Sequence, residues 1–379
     1  MKKNLFGKDL RLGILGGGQL GRMFIQEAVN YNIAVHILEN DHNAPSASLA
    51  CPFTKGDIQN FDDVMAFGKD MDVLTIEIEN VNVKALFELE KQGVIVYPQP
   101  RVLEIIKDKG LQKQFYMEND IPTSPFFLVN EKSEVNLEEK LPFVQKLRTG
   151  GYDGQGVKIV KSSEDLQSLF TAPSLVEELI PFEKELSVIV ARNEVGEIVS
   201  FQTVECEFND ANLVEFLFSP ADISSEIECK AVELAKDVIQ KLDMVGILAV
   251  ELFLTKDGKL LVNEVAPRPH NSGHHTIECN VTSQFSQHLR SILGLPLGST
   301  EIIRYGAMVN LLGAENHTGK AIYKGLEEVM KTPSVYIHLY GKDITKPNRK
   351  MGHITVTGET LNEAKVMAKS IKERIEIVA

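Results

Sequence analysis

Glu251 and Glu264 flank an Asp257-Gly258 pair within the alternating stretch Val250–Glu264. Asp-Gly between apolar-alternating runs predicts a two-residue hairpin. With Asp257 and Gly258 as the turn, Lys256 faces Lys259 and Glu251 faces Glu264. The pairs Phe253–Val262 and Thr255–Leu260 then lie on the same side. Opposed residues have Cβ atoms roughly 4.5–5.5 Å apart, where like charges repel. A hard divalent cation offsets that repulsion, and Mg²⁺ commonly takes one or two carboxylates plus phosphate oxygens. Asn263 could join if the strand bulges there. Two solvated glutamates are the plainer alternative, but the apolar neighbours on that face favour a metal.

Two glycine-rich segments could handle phosphate. Gly150-Gly151-Tyr152-Asp153-Gly154-Gln155-Gly156-Val157 follows a strand carrying Lys146 and Arg148. Such a loop can close its N–H groups over phosphates, or be an ordinary hairpin tip. Gly16-Gly17-Gly18-Gln19-Leu20-Gly21 is a G-x-G-x-x-G turn between a strand and a helix, with Glu39 ending the next strand. That pattern admits a phosphate-bearing substrate at a helix N-terminus, a dinucleotide, or a purely structural turn. An NAD-binding oxidoreductase is the obvious reading of the motif alone, but the rest of the chain lacks a clear hydride-transfer site.

The extended segment Leu175–Glu185 carries acids at both ends. Its backbone edge could read adenine and a carboxylate beyond it could accept from ribose hydroxyls; scattered surface acids are the generic alternative. Arg349 and Lys350 form a short basic stretch in an acidic chain and could grip a phosphate. His270, His274 and His275 raise a zinc hydrolase, yet Pro267, Pro269 and Gly273 place them on a loop rather than at helical spacing.

The elements that must position these residues fall into three groups. Strands at Leu10–Leu15, Ile33–Leu38, Val73–Ile78 and Val94–Val96 alternate with helices at Gln19–Tyr31, Phe61–Gly68 and Val83–Gln92, which predicts a parallel sheet over residues 1–100. Residues 101–300 change to mostly antiparallel strands: Phe126–Val129, Phe143–Arg148, Val157–Val160, Leu175–Ile180, Glu185–Arg192, Ile198–Val204 and Leu213–Phe218. A long helix, Ser225–Leu242, then precedes the Ile247–Glu264 hairpin. Residues 301–379 hold strands near Met308–Leu312, Val335–Leu339 and His353–Val356 and a helix at Leu361–Ile375.

The 379 residues suit two or three domains. The net charge of -13 argues against nucleic-acid or membrane-surface partners, which want basic patches. Anionic substrates therefore need local cations and a metal. Met1–Asp9 has no apolar segment behind its charges, so no signal peptide is expected. Cys51, Cys206, Cys229 and Cys279, with no CxxC pair, read as reduced thiols of a cytoplasmic protein.

The order Lys109, Lys146, Gly151–Val157, Glu177-Glu178-Leu179-Ile180, Glu185, Glu251 and Asn263-Glu264 resembles the ATP-grasp ligases. The Gly16–Arg22 loop, Thr149–Gly154, Asn263–His274 and Arg349–His353 resemble the 5-(carboxyamino)imidazole ribonucleotide synthase family over essentially the whole chain. That resemblance implies an α/β ATP-grasp architecture: a Rossmann-like N-terminal domain, a central ATP-grasp domain and a small C-terminal domain. It implies ATP-dependent carboxylation of aminoimidazole ribonucleotide by bicarbonate, through carboxyphosphate, in purine synthesis. ATP and Mg²⁺, or Mn²⁺, would be cofactors, and a homodimer the assembly.

By the same resemblance Lys109, Lys146, Gly151, Tyr152, Asp153, Gly154, Gln155, Gly156 and Val157 would hold the phosphates. Glu177, Glu178, Leu179 and Ile180 would line the adenine pocket through backbone groups, and Glu185 would bind ribose. Glu251 and Glu264 would bind the metal, with Asn263 beside them. Gly18, Gln19, Leu20, Glu77, Tyr152, Arg349 and Lys350 would hold the ribonucleotide. Arg268, His270 and Asn271 would position bicarbonate and carboxyphosphate, with Asp153 or His270 as the base. Two departures from the family pattern are Gln155, in place of a basic residue, and Phe208, in place of a histidine. A relative using formate and a different ribonucleotide is the nearest alternative, and the Pro-Arg-Pro-His loop argues against it. A non-catalytic nucleotide sensor would share the scaffold but not the turnover.

Overall fold

A computed structural model describes residues 5–7, 9–49, 52–130, 137–151 and 156–379. The first unit runs β1 (Leu12–Leu15), α1 (Gln19–Asn30), β2 (Val35–Glu39), β3 (Phe53–Lys55), α2 (Phe61–Gly68), β4 (Val73–Ile76), α3 (Val83–Lys91) and β5 (Ile95–Val96). All pairings in its sheet are parallel, in the order β3-β2-β1-β4-β5. β1 and β4 are buried at every position, as central strands covered on both faces must be. The sequence pattern missed β3, whose residues are mostly exposed and carry no alternation.

Next come α4 (Pro100–Lys107) and α5 (Lys109–Glu118), then the antiparallel strands β6 (Phe126–Val129), β7 (Phe143–Leu147), β8 (Val157–Val160) and β9 (Ser174–Glu178), in sheet order β6-β9-β7-β8. Asp108 caps α5 by accepting from Gly110 N (2.8 Å) and Leu111 N (3.2 Å). A cap of this kind is worth about 1 kcal/mol. Leu179–Pro181 then leads into the long strand β10 (Phe182–Arg192) of a second sheet.

That second sheet also contains β11 (Ile198–Ser200), β12 (Val204–Phe208), β13 (Val214–Ser219), β14 (Gly246–Thr255) and β15 (Leu260–Ala266). The single strand expected at Ile198–Val204 is in fact two, β11 and β12, both paired to β10. α6 (Ser225–Lys241) buries Ala231, Ala235, Val238 and Ile239 in the core beneath β10 and β14. α7 (Thr276–Cys279) and α8 (Gln284–Ile292) follow the hairpin. The sequence pattern missed α8 because five of its buried residues, Gln284, Ser286, Gln287, His288 and Ser291, are polar.

The remaining elements are β16 (Tyr305–Leu312), β17 (Gly319–Lys320), β18 (Ile322–Lys324), α9 (Leu326–Val329), β19 (Val335–Leu339), β20 (Ile344–Thr345), β21 (Lys350–Gly358), α10 (Leu361–Arg374) and β22 (Glu376–Val378). β16, β21 and β19 extend the second sheet, whose order is β15-β14-β10-β12-β13-β16-β21-β19. The C-terminal region is thus continuous with the central sheet. α10 covers one face of this extension through Ala364, Ala368 and Ile371.

The hairpin departs from the expected register. Leu254 pairs with Leu260 and Phe253 with Leu261, not with the partners a two-residue turn would set. The loop has three residues, Lys256–Gly258, closed by Thr255 N donating to Lys259 O (2.9 Å), with Gly258 at φ +77°. A positive φ at the last residue of a three-residue hairpin loop is where glycine is favoured. Val262 and Leu260 consequently turn into the core, opposite to the face predicted. A bulge between Val250 and Leu252 then restores the original register, so that Val250 pairs with Val265. Glu251 therefore stands against Asn263 and Glu264 together.

Candidate active site

The cleft between the two sheets of the central region is built on lysines. Asp108 caps α5 and also accepts from Arg148 Nε (2.9 Å) and Nη2 (2.6 Å), while Lys109 N donates to Arg148 O (2.9 Å). These contacts fix Lys109 on the first turn, where its Nζ donates to Glu264 Oε2. Lys146, on β7, donates to Asn263 Oδ1 (2.8 Å) and pairs with Glu177 Oε2 (3.0 Å). Glu177 is 3% exposed, and its other oxygen faces Lys113 Nζ at 3.1 Å. Burial works against the Glu177 charge, but the Lys146 and Lys113 ammoniums prevail and hold its pKa below the usual range. Burial pushes Lys113 down to about 8.

The bulge allows Asn263 and Glu264, adjacent in sequence, to reach two lysines of the same cleft. Burial and the facing Glu264 raise the pKa of Glu251. Lys109 pulls the pKa of Glu264 down against burial. Two glutamates with opposite shifts at one bulge form an asymmetric pair. Among the described residues no group of three or more His, Cys, Asp or Glu is placed to hold a metal unaided. Two carboxylates and an amide instead suit a hard cation that brings phosphate oxygens as its remaining ligands.

The loop after β15 joins this cleft to the first unit. Arg268 Nε lies 2.9 Å from Glu79 Oε1, just past β4. His270 Nε2 lies 3.5 Å from Glu251 Oε1, and its Nδ1 accepts from Ser272 N (3.3 Å) and contacts Ser272 Oγ (2.9 Å). Asn271 is committed elsewhere: its amide exchanges hydrogen bonds with Asn310 (3.0 and 2.8 Å). The three histidines diverge, since His274 contacts the Gln284 amide and His275 is buried, so they do not form the ligand set of a zinc site.

In the first glycine loop the chain supplies its own anions. Glu77 accepts from Gly18 N and from Gly21 N (2.7 Å), and Glu39 accepts from Gly17 N (2.8 Å). A Cβ on Gly16, at φ +101°, would meet Glu77 Cγ at 2.6 Å. The glycines thus make room for carboxylates at the start of α1. Burial raises the Glu77 pKa, with the two loop N–H groups opposing it. Glu39 is occupied by these contacts and by Asn40 N and Asp41 N rather than left open for a ribose.

The other expected site residues are placed as follows. Glu177 is mid-ladder between β6 and β7, so its role here is carried by its side chain rather than by a free backbone edge. Glu178 N donates to Pro125 O (3.0 Å), and Leu179 and Ile180 lie past the strand in the link between sheets. Glu185 sits on β10, its carboxyl pushed up to about 7 by burial, partly opposed by Lys146. Gly156 O accepts from Leu147 N (2.8 Å), and Val157 pairs with Lys146. Gln19 and Leu20 open α1, half-buried. Gly151 is half-buried, and Phe208 ends β12, exposed. Arg349 Nη1 donates to Ile344 O (2.6 Å), and Lys350 begins β21. Tyr152, Asp153, Gly154 and Gln155 lie outside the described residues.

Three family models match consecutive parts of the chain: a ribonucleotide synthetase preATP-grasp domain over residues 10–107, an ATP-grasp domain over 114–285 and a phosphoribosylaminoimidazole carboxylase C-terminal domain over 306–366. The N5-carboxyaminoimidazole ribonucleotide synthase of Bacillus subtilis is 36% identical over 363 residues, covering 94% of this chain and 93% of that protein. The chain belongs to the N5-carboxyaminoimidazole ribonucleotide synthase family. The crystal structure of the Thermotoga maritima synthetase matches with a TM-score of 0.91 and 40% identity, over 98% of this chain and 99% of that one. An Aspergillus clavatus synthase in complex with ADP and 5-aminoimidazole ribonucleotide matches with a TM-score of 0.88 and 34% identity, over 96% and 98%.

The chain spans about two thirds of the length of the phosphoribosylaminoimidazole carboxylases it also matches, such as that of Ogataea methanolica (39% identical over 373 residues, 93% of this chain and 67% of that protein). It is an ATP-grasp ligase of the N5-carboxyaminoimidazole ribonucleotide synthase type. The expected architecture of parallel-sheet, ATP-grasp and C-terminal domains is the one observed.

Sequence reasoning missed Lys113 and Glu79. Lys113 lies four residues after Lys109 on one helix, a spacing that shares a face and could have drawn attention to it. Glu79 carries no such signal, because its partner Arg268 is distant in the chain.

Proposed function

We propose that this cleft converts 5-aminoimidazole ribonucleotide, bicarbonate and ATP into 5-(carboxyamino)imidazole ribonucleotide, ADP and phosphate. The observation that carries the reading is the continuity of the polar contacts. Lys109–Glu264, Lys146–Asn263, His270–Glu251 and Arg268–Glu79 join the lysine cleft to the end of β4, where Glu77 binds the glycine loop that follows β1. A nucleotide and a ribonucleotide bound at its two ends would be brought together at the Arg268–Asn271 loop.

Lys109 and Lys146 supply positive charge to the transferring phosphates, where positioning and neutralisation do most of the work. Glu251 and Glu264, with Asn263 at the same bulge, would hold Mg²⁺ or Mn²⁺, which when bound neutralises further phosphate charge. Leu179 and Ile180 would line adenine, and Glu185 would bind the ribose. Gly18, Gln19, Leu20, Glu77 and Tyr152 hold the ribonucleotide, with Arg349 and Lys350 for its phosphate. Gly151, Gly154, Gln155, Gly156 and Val157 are the proposed contacts to the phosphates.

Bicarbonate oxygen attacks the γ-phosphorus and ADP departs, giving carboxyphosphate held by Arg268 and His270. Carboxyphosphate releases phosphate and CO₂, and the exocyclic amine attacks CO₂ as it loses a proton. The His270 Nδ1 lone pair is taken by Ser272 N–H, so Nε2 carries the proton toward Glu251. Asp153 is therefore the proposed base. Asn271, bound to Asn310, holds the loop.

A coupled assay of ADP release with and without ribonucleotide and bicarbonate tests the reading. Turnover requiring both substrates is expected; rapid ADP release indifferent to both removes it. A homodimer in the cytoplasm belongs to the same proposal, supported by the family resemblance, and a monomer mass by light scattering would remove the dimer.

A further inference from the structure

Gln284, the first residue of α8, is fully buried directly behind the Arg268–Asn271 loop. Its Oε1 accepts from His270 N (2.8 Å) and its Nε2 donates to His270 O (2.8 Å). A backbone N–H can only donate and a carbonyl only accept, so these two bonds fix the orientation of the amide. The second amide hydrogen then points to His274 Nδ1 at 3.0 Å, which makes His274 the Nε2–H tautomer. Gln284 N donates to Thr276 Oγ1 (2.8 Å), and that hydroxyl donates to Gly273 O (2.6 Å).

The sequence around this clamp is fitted to it. A Cβ on Gly273 would lie 2.4 Å from Gln284 Oε1, so an alanine there displaces the amide. The rest of α8 is fastened to the first unit. His288 Nε2 contacts Thr75 Oγ1 on β4 (3.0 Å), Ser286 Oγ contacts Tyr31 OH (2.8 Å), and Arg290 Nε donates to Tyr31 OH (3.0 Å). One helix thus holds the backbone of His270 at its start and the ribonucleotide-side sheet along its length.

We infer that Gln284 is a positioning residue for the carboxylation step, holding His270 in register with the ribonucleotide domain through its backbone clamp. This rests on the role proposed above for His270. A misplacement of about 1 Å at a reacting group can cost on the order of 100-fold in rate.

The test measures both products, carboxylated ribonucleotide and phosphate, for Gln284→Leu and Gln284→Glu; the latter keeps an acceptor for His270 N and loses both donors. The expected result is a fall of about 30–100-fold in kcat for carboxylation, an ATP KM within about twofold of wild type, and more than one phosphate released per product. Gly273→Ala should reproduce that uncoupling, because its Cβ displaces the Gln284 amide. Wild-type kcat and coupling in either folded Gln284 variant would overturn the inference. So would a parallel loss of every parameter with coupling kept at one, which marks a merely structural role. If Gln284→Leu does not fold, Gln284→Glu and Gly273→Ala decide by the same readouts. Absence of ribonucleotide-dependent turnover in the wild type would instead sink the proposed function.

Discussion

Glu177 Oε2 lies 3.0 Å from Lys146 Nζ, and this buried contact sets where the Lys146 ammonium stands in the cleft. The same carboxylate is shared with Lys113, whose Nζ also donates to Thr123 Oγ1 (2.5 Å) and Ser124 Oγ (2.9 Å). Removing one member of a buried ion cluster leaves uncompensated charge and typically costs 3–5 kcal/mol. Lys113→Met should lower stability by about 3 kcal/mol in urea unfolding, since Lys146 still partners Glu177. Glu177→Gln should also raise the KM for ATP about tenfold by loosening Lys146, a change of about 1.4 kcal/mol. Wild-type values for both would show that the cluster does not hold Lys146.

Glu264→Gln removes one charge from the bulge pair and the acceptor charge that faces Lys109. If the pair served only the fold, the change would lower stability by leaving Lys109 without its carboxylate, and turnover of the folded protein would be unchanged. Turnover should instead fall a few hundred-fold, about 3–4 kcal/mol, with the chain still folded. The Mg²⁺-dependent part of the ATP-induced rise in Tm should largely vanish. Near wild-type turnover at low millimolar Mg²⁺ would remove the metal assignment.

Arg349 is anchored by its bond to Ile344 O and stands one residue before β21. Arg349→Ala should weaken ribonucleotide binding by about 1.5–3 kcal/mol, the value of a charge-assisted contact, and leave ATP binding nearly unchanged. Calorimetric titration with each ligand separates the two. Equal ribonucleotide affinity in variant and wild type would place the phosphate elsewhere.

The Glu185 carboxyl is pushed up to about 7 by burial. A carboxyl with a higher pKa folded than unfolded takes up a proton on folding, so its contribution is full below the ordinary carboxylate range and is lost as pH rises through about 7. The ligand-free chain should therefore lose more Tm between about pH 5 and pH 8 than Glu185→Gln does. Parallel Tm curves for the two proteins would show that burial does not shift this group.

The glycine loops and the Asn263–His274 run were legible without a structure because each is a local pattern of residue type, whereas Lys109 entered only through the resemblance to the ATP-grasp ligases. The parallel sheet was likewise legible, since its apolar strands and amphipathic helices alternate at a fixed period. The hairpin shows where locality ends. Asp257-Gly258 correctly marked a turn, but whether it has two or three residues depends on Gly258 adopting φ +77° and on which face of β15 the core accepts. One residue of register moved Val262 and Leu260 to the opposite face, and only the bulge brought Glu251 back to Glu264.

The sequence by itself carried the resemblance to the ATP-grasp ligases, in the order of its lysines and carboxylates, and to the ribonucleotide synthases, in its loops, because residue type and order along the chain can be read without a fold. Tertiary structure alone decided that Glu77 would bind the glycine loop, that Glu177 would face two lysines, and that α8, with its buried polar residues, would be a helix at all. Each of these rests on a partner distant in the chain. A buried polar group is stable only where such a partner is supplied, and no local spacing records which residue that will be.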